Sequence, residues 1–322
     1  MIAIRPRREP APKRVLLWHV HGSYVTALVQ GAHTFHLPVL PDRGPDGRGR
    51  ARTWSWPPNA VELTPHDARA LDVDVVILQR PHEFELARTW TGREPGVDIP
   101  AIYLEHNAPQ GRIAELRHPC AGRRGVTIVH VSHFNDLFWD CGPTPTRVIE
   151  HGIVDPGYRY TGELPRAAVA INEARRRGRV TGTDLLPRFE AAIPLDLFGI
   201  DAGALGGWDD PPQHVLHAEL PRRRVYLYPI RWTSLGLTLL ESMQLGMPVV
   251  ALATTEVVEA VPPGCGTIST DVERLCAALR RYADDPAAAR ADGRRARAYA
   301  LHRYGLARFL RAWDDLLTEV TA

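Results

Sequence analysis

Short apolar runs bounded by polar or glycine-rich segments recur along the chain, and each is too short and too continuous to be one face of a surface helix. The first four are 15–20 (VLLWHV), 74–79 (DVVILQ), 100–106 (PAIYLEH) and 126–132 (VTIVHVS). Runs of this kind, without polar alternation, read as strands buried on both faces of a parallel sheet. The pattern restarts after Gly152 with 167–172 (AAVAIN), 195–200 (LDLFGI), 224–230 (RVYLYPI) and 248–254 (PVVALAT), which predicts a second parallel sheet. The stretch SLGLTLLESMQLG reads as a short helix opening at Gly236 and stopped by Gly246 and Pro248. The segment 271–320 is helical by pattern, with breaks at Asp284-Asp285-Pro286 and near Tyr304 and Gly305. The fold class is therefore α/β, with one domain over 15–155 and another over 156–303, facing across a cleft. A hinge is expected near 152–160. Ligands of such sheets sit beyond the carboxyl ends of the strands.

Charge narrows the partners. Of 322 residues 39 are basic and 37 acidic, a formal net charge of +2, and Lys13 is the single lysine. Neither this balance nor the 7% aromatic content suggests a nucleic-acid surface. The four cysteines form no CxxC pair, and the pairs His19/His21 and His130/His133 have no third ligand at a suitable spacing, so no metal site is expected. No apolar stretch reaches the length of a membrane span, and the N-terminus, MIAIRPRREPAPKR, is charged where a secretion signal is apolar. A cytoplasmic location is expected. Residues 1–14 form a basic arm, expected to be mobile and able to touch an anionic membrane weakly. G-x-S-x-G, P-loop and GxGxxG motifs do not occur.

The candidate chemistry lies in 228–251, YPIRWTSLGLTLLESMQLGMPVVA, which runs strand, loop, helix, turn, strand. Thr233, Ser234, Leu235, Gly236 and Leu237 bring backbone N–H groups and the positive end of the helix dipole to the cleft, a favourable place for phosphate. Glu241, more than one turn into the helix, is placed to accept hydrogen bonds from ribose hydroxyls. The plainer alternative is that Ser234 only caps the helix and Glu241 is an exposed helical acid. Upstream, Arg175, Arg176, Arg177 and Arg179 cluster beside RVTGTDLL.

This stretch resembles the donor segment of retaining GT-B glycosyltransferases of the group 1 (family 4) type. Pro229, Arg231, Gly236, Glu241, Met243, Gly246, Pro248, Val249 and Val250 match the pattern as they stand. The run 130–155 is similar to the family's interdomain passage. The resemblance implies two Rossmann-like domains and a segment 304–322 that crosses back to the first. It implies transfer of a sugar from a nucleotide-diphosphate sugar to an acceptor hydroxyl with retention, and no cofactor or metal. By resemblance Glu241 holds the ribose, Arg231 serves the donor and His106 stands beside the donor sugar, while Arg179, with Arg177 beside it, is the expected phosphate ligand from the upstream cluster, the alternative being a solvated face. His21, Gly22 and Ser23 occupy the acceptor loop. Two positions depart from the pattern: Thr233 stands where the family has a glutamate and Thr181 where it has a phosphate-binding lysine. A silent nucleotide-sugar binder, or an epimerase or hydrolase on the same scaffold, are the alternatives.

Overall fold

The computed structural model describes residues 11–322. The residues 1–10 of the expected basic arm lie outside it. Arg14 belongs to the first strand instead of the arm, held by Asp74 at 2.8 Å.

The first domain is a seven-stranded, wholly parallel sheet. Its strands are β1 (Arg14–Leu17), β2 (Thr34–Pro38), β3 (Ala60–Leu63), β4 (Val75–Leu78), β5 (Ala101–Glu105), β6 (Val126–His130) and β7 (Thr146–Val148), in the order β3-β2-β1-β4-β5-β6-β7. The second domain has six parallel strands, β8 (Leu164–Ala170), β9 (Leu195–Gly199), β10 (Trp208–Asp209), β11 (Arg223–Tyr228), β12 (Val249–Leu252) and β13 (Gly266–Ser269), ordered β10-β9-β8-β11-β12-β13. Each sheet reverses direction of growth at a central pair, β1/β4 in one and β8/β11 in the other. There adjacent crossovers leave on opposite faces and open a crevice. The expected apolar runs all become central strands, whereas β2, β3, β7, β10 and β13 escape the pattern because they lie nearer the edges and are short or mixed in polarity.

The long helical tail breaks where the sequence says it should. Helices Val272–Asp284, Pro286–Arg303 and Leu306–Val320 follow one another, the second capped by Asp285 with Pro286 at its first position. The last helix leaves the second domain and packs on one face of the first sheet. Its Phe309, Trp313, Leu316 and Leu317 join Val15, Leu17, Tyr24 and Val25 in one core. Trp313 Nε1 donates to the Tyr24 hydroxyl at 3.1 Å, and His33 Nε2 lies 3.0 Å from Asp314. Residues 149–163 make the other crossing, pinned by Ile153 N–H to Tyr304 O at 3.0 Å and by Arg297 on Asp155.

Candidate active site

The two sheets present the carboxyl ends of their central strands to a common cleft of ≈ 590 Å³. One wall comes from the end of β1 and the loop after β2. Val20, His21, Gly22 and Ser23 follow β1, and Thr53 and Trp54 belong to the loop. Gly22 is required here by close approach. A Cβ at this position would lie 1.7 Å from the outer edge of the Trp54 ring, so the indole edge abuts the backbone.

The opposite wall is built from the ends of β8, β9 and β11 and from the start of the helix Leu237–Leu245. Asn172, Arg177, Gly199, Asp210, Gln213, Tyr228, Thr233, Gly236, Leu237 and Thr238 contribute. Gly236 precedes the helix in extended conformation, and its N–H is already taken by the Tyr228 hydroxyl at 3.0 Å. The donors left to the cleft are therefore those of the first helical turn, Leu237 and Thr238, where no intrahelical acceptor exists. The helix ends as expected at Gly246, whose φ of +96° closes the last turn with the N–H on Met243 O.

Of the arginines expected to meet a phosphate, Arg177 lines the cleft. Arg179 and Arg231 do not. Arg231 reaches Asp184 through both guanidinium arms, at 2.5 and 3.0 Å, and also bonds the Arg179 carbonyl, while Arg179 itself turns to Asp184 at 3.3 Å. Their job is to tie the 179–184 loop to the strand end after β11. Arg175 donates to Ala204 O and Arg176 to Glu173. Thr181, in the lysine position, is fully buried and hydrogen-bonded to Gly178 O and the Thr183 hydroxyl, so a lysine there would have to leave the core.

Glu241 is not the exposed helical acid of the plainer reading. It is 4% exposed and its Oε2 lies 3.4 Å from His217 Nε2, which in turn contacts Gln213 on the cleft wall at 2.8 Å. Leu237, one turn above Glu241 on the same helix face, lines the cleft and packs against both domain cores. Ser234 does not cap the helix, whose N-cap is Gly236. Its hydroxyl donates to the His106 carbonyl across the domain boundary at 2.7 Å. Trp232 Nε1 donates to Pro109 O at 2.7 Å and Phe134 N–H to Glu256 at 2.8 Å, so three hydrogen bonds clasp the domains on this side. Leu235 is buried in the seam.

His106 lies behind the cleft wall. Its ring stands 4.0 Å from that of His21 and 4.7 Å from Tyr24, and Nε2 is 3.1 Å from Gln79 Oε1. Burial pushes His106 well below the usual imidazole value, with His21 and His151 adding to the effect. His21 is pushed down to about 4 by burial and then by Arg48 and Arg80. His151, 3% exposed, and His130, completely buried, are likewise pushed down to about 4, mainly by burial. These rings are neutral at pH 7.

A stability prediction follows from that neutrality. The unfolded chain takes up protons on His21, His130 and His151 near pH 6.5 and the folded chain only near 4, so folding is opposed increasingly as pH falls through this window. Burial of His130 and His151 each contributes on the order of 3 kcal/mol of acid lability. Glu83 and Glu256, raised by burial, act in the opposite sense, gaining stability as pH falls through their raised values. Urea midpoints at pH 7, 5.5 and 4.5 should fall steeply, and His130→Gln should flatten the fall. A midpoint unchanged across the range contradicts the assignment.

Several lining residues were not singled out from the sequence. Asn172 and Gly199 stand at the carboxyl ends of the predicted strands 167–172 and 195–200, and the rule that ligands sit at strand ends was a sufficient signal for them. Trp54 carried no such signal, because a lone tryptophan in a polar loop looks like any other.

Comparisons with known proteins agree with this geometry. Residues 205–285 match the family model described as Glycosyl transferases group 1. No curated protein shows significant sequence similarity to the chain. Among solved structures, a sucrose-phosphate synthase from Thermosynechococcus elongatus superposes with a TM-score of 0.72 at 14% identity, over 96% of this chain and 99% of that one. HepE from Anabaena, in complex with UDP-glucose, gives 0.65 at 12% identity over 95% and 100%. The pneumococcal O-GlcNAc transferase GtfA, in complex with UDP and GlcNAc, gives 0.58 at 13% identity over 80% and 59%.

Proposed function

We propose that this chain, a GT-B protein whose second domain carries a group 1 glycosyltransferase segment, moves a sugar from a nucleotide-diphosphate sugar to an acceptor hydroxyl with retention of configuration. The observation that carries this reading is the pairing, across one cleft, of Arg177, unpaired among the described residues, and an open helix N-terminus on one wall with the His21–Ser23 turn and Trp54 on the other.

The diphosphate lies between Arg177 and the N–H groups of Leu237 and Thr238. Charge that develops on the leaving group meets donors already in place, the arrangement that lowers barriers most effectively in a site from which water is excluded. Glu241 accepts the ribose hydroxyls, exchanging its contact with His217 for them. Thr233 offers a hydroxyl to the donor sugar. The acceptor approaches over His21, Gly22 and Ser23 and attacks on the face from which the diphosphate departs, and the departing phosphate takes its proton. His106 positions His21 by ring contact and holds the domain seam through its carbonyl.

A thermal-shift panel of UDP, GDP, TDP and ADP with their sugars tests the donor site. A nucleotide at about 100 times its dissociation constant adds about 2.7 kcal/mol to the folded state. One nucleotide should stand out, and Glu241→Ala should abolish its shift. No shift from any of them at millimolar concentration contradicts the reading.

A further inference from the structure

The loop 39–59 is long and polar, yet it is fixed at many points. Val39 pairs with Arg48 in an isolated bridge, Trp18 Nε1 donates to Asp46 O at 3.2 Å, and the His19 ring contacts Gly49 O at 3.0 Å. Of its four arginines two are spent on this anchoring. Arg43 grips Glu62 with both arms, at 2.8 and 3.0 Å, and Arg50 bonds the carbonyls of Trp56, Pro57 and Ala60. Arg50 is thus not free to meet a substrate.

Arg48 and Arg52 are different. Both are exposed, and neither side chain has a hydrogen-bond or ion-pair partner among the described residues. Both precede Thr53 and Trp54, which line the cleft, Arg52 directly and Arg48 by one turn of the loop. Arg48 is close enough to His19 and His21 for its charge to add to the burial that keeps both rings neutral. Arg80 reaches the same place but is neutralised by Asp46 at 2.9 Å and Glu83 at 2.6 Å. The acceptor wall therefore carries an indole whose edge abuts Gly22, and the loop that supplies it also carries two uncommitted guanidinium groups outside the cleft lining.

We propose that this wall selects a sugar bearing an anionic group, a carboxylate or a phosphate, with Trp54 as the platform for the sugar ring and Arg48 and Arg52 as partners of the anion. The proposal rests on the sugar-transfer reading above. A sugar's C–H face carries partial positive charge and suits the negative face of an indole. A guanidinium fork matches the two oxygens of a carboxylate or phosphate, and because the loop is already ordered, little freedom is lost on binding. A neutral sugar leaves both arginines as they are and gains only the stacking.

The test is calorimetric titration of the full chain with p-nitrophenyl β-glucuronide, p-nitrophenyl 6-phospho-β-glucoside and p-nitrophenyl β-glucoside. The protein is first saturated with whichever nucleotide gives the largest thermal shift, or used alone if none does. At least one anionic sugar should bind roughly tenfold more tightly than the neutral one, as expected for charge complementarity, and the better of the two identifies the anion. The advantage should shrink to about threefold or less in the Arg48→Gln/Arg52→Gln double variant and in high salt. Equal affinities, no binding of either anionic sugar at millimolar concentration, or an advantage that survives in the double variant overturns the proposal. Loss of the nucleotide shift in the double variant also overturns it, because the two cations would then serve the donor. Absence of any nucleotide shift in the unaltered chain counts instead against the function proposed above, and the sugar comparison still decides the acceptor site.

Discussion

Arg177→Gln should reduce sugar transfer about 100- to 1,000-fold, the usual loss when one preorganised donor to a developing charge is removed, while Arg179→Gln should leave the rate within about threefold. The contrast arises from where neighbouring arginines go. Five of them, Arg175, Arg176, Arg177, Arg179 and Arg231, come within a few residues of the strand ends at the cleft. Four are engaged elsewhere: Arg175 on a backbone carbonyl, Arg176 on Glu173, and Arg179 and Arg231 on Asp184. Arg177 alone among them lines the cleft, close enough to the Tyr228 hydroxyl to influence it. The steady-state kcat of both variants with the nucleotide sugar identified by thermal shift, alongside their circular dichroism, makes the comparison. Equal losses in the two variants would show that the cluster acts as a diffuse field. A large loss confined to Arg179→Gln would return the phosphate contact to that residue.

Trp313→Ala should lower unfolding free energy by about 4 kcal/mol, as full truncation of a buried indole does. Trp313 is 1% exposed, sits in the core of the first domain and comes from the last helix of the chain. Its loss leaves a cavity between the sheet and that helix, and leaves the Tyr24 hydroxyl, in a residue itself 1% exposed, without its partner. Trp313→Phe keeps the ring and should cost about half as much or less. The effect reaches the site because Tyr24 stands edge-on to His106 at 4.7 Å and to His151 at 5.6 Å. Urea unfolding of both variants measures the stability. A loss below about 1 kcal/mol for Trp313→Ala would mean that the helix is docked mainly by other contacts.

Much of this was legible before the structure. Eight apolar runs gave the central strands of both sheets, because a strand covered on both faces must be apolar at every position. The helix after Gly236 and its stop at Gly246 were legible because a glycine without Cβ is the cheapest residue for a left-handed C-terminal position. The edge strands were not, since β10 has two residues and β3 mixes buried and exposed positions. The resemblance to group 1 glycosyltransferases was carried by the same helix, and the family model matches a segment that contains it.

What the linear chain determined by itself is the set of local structures, the α/β class and the segment to which a phosphate would be drawn, because propensity, glycine placement and hydrophobic run length act over a few neighbouring residues. The tertiary structure alone decided which side chains are free. Arg179 and Arg231 look as available as Arg177 in the sequence, and Asp184 removes them. Arg43 and Arg50 look like Arg48 and Arg52, and Glu62 and three carbonyls remove the first pair. Ser234 reads as a cap and serves as a clasp between domains. An arginine's availability depends on acids and carbonyls brought beside it from other elements, and those distances exist only once the chain has folded.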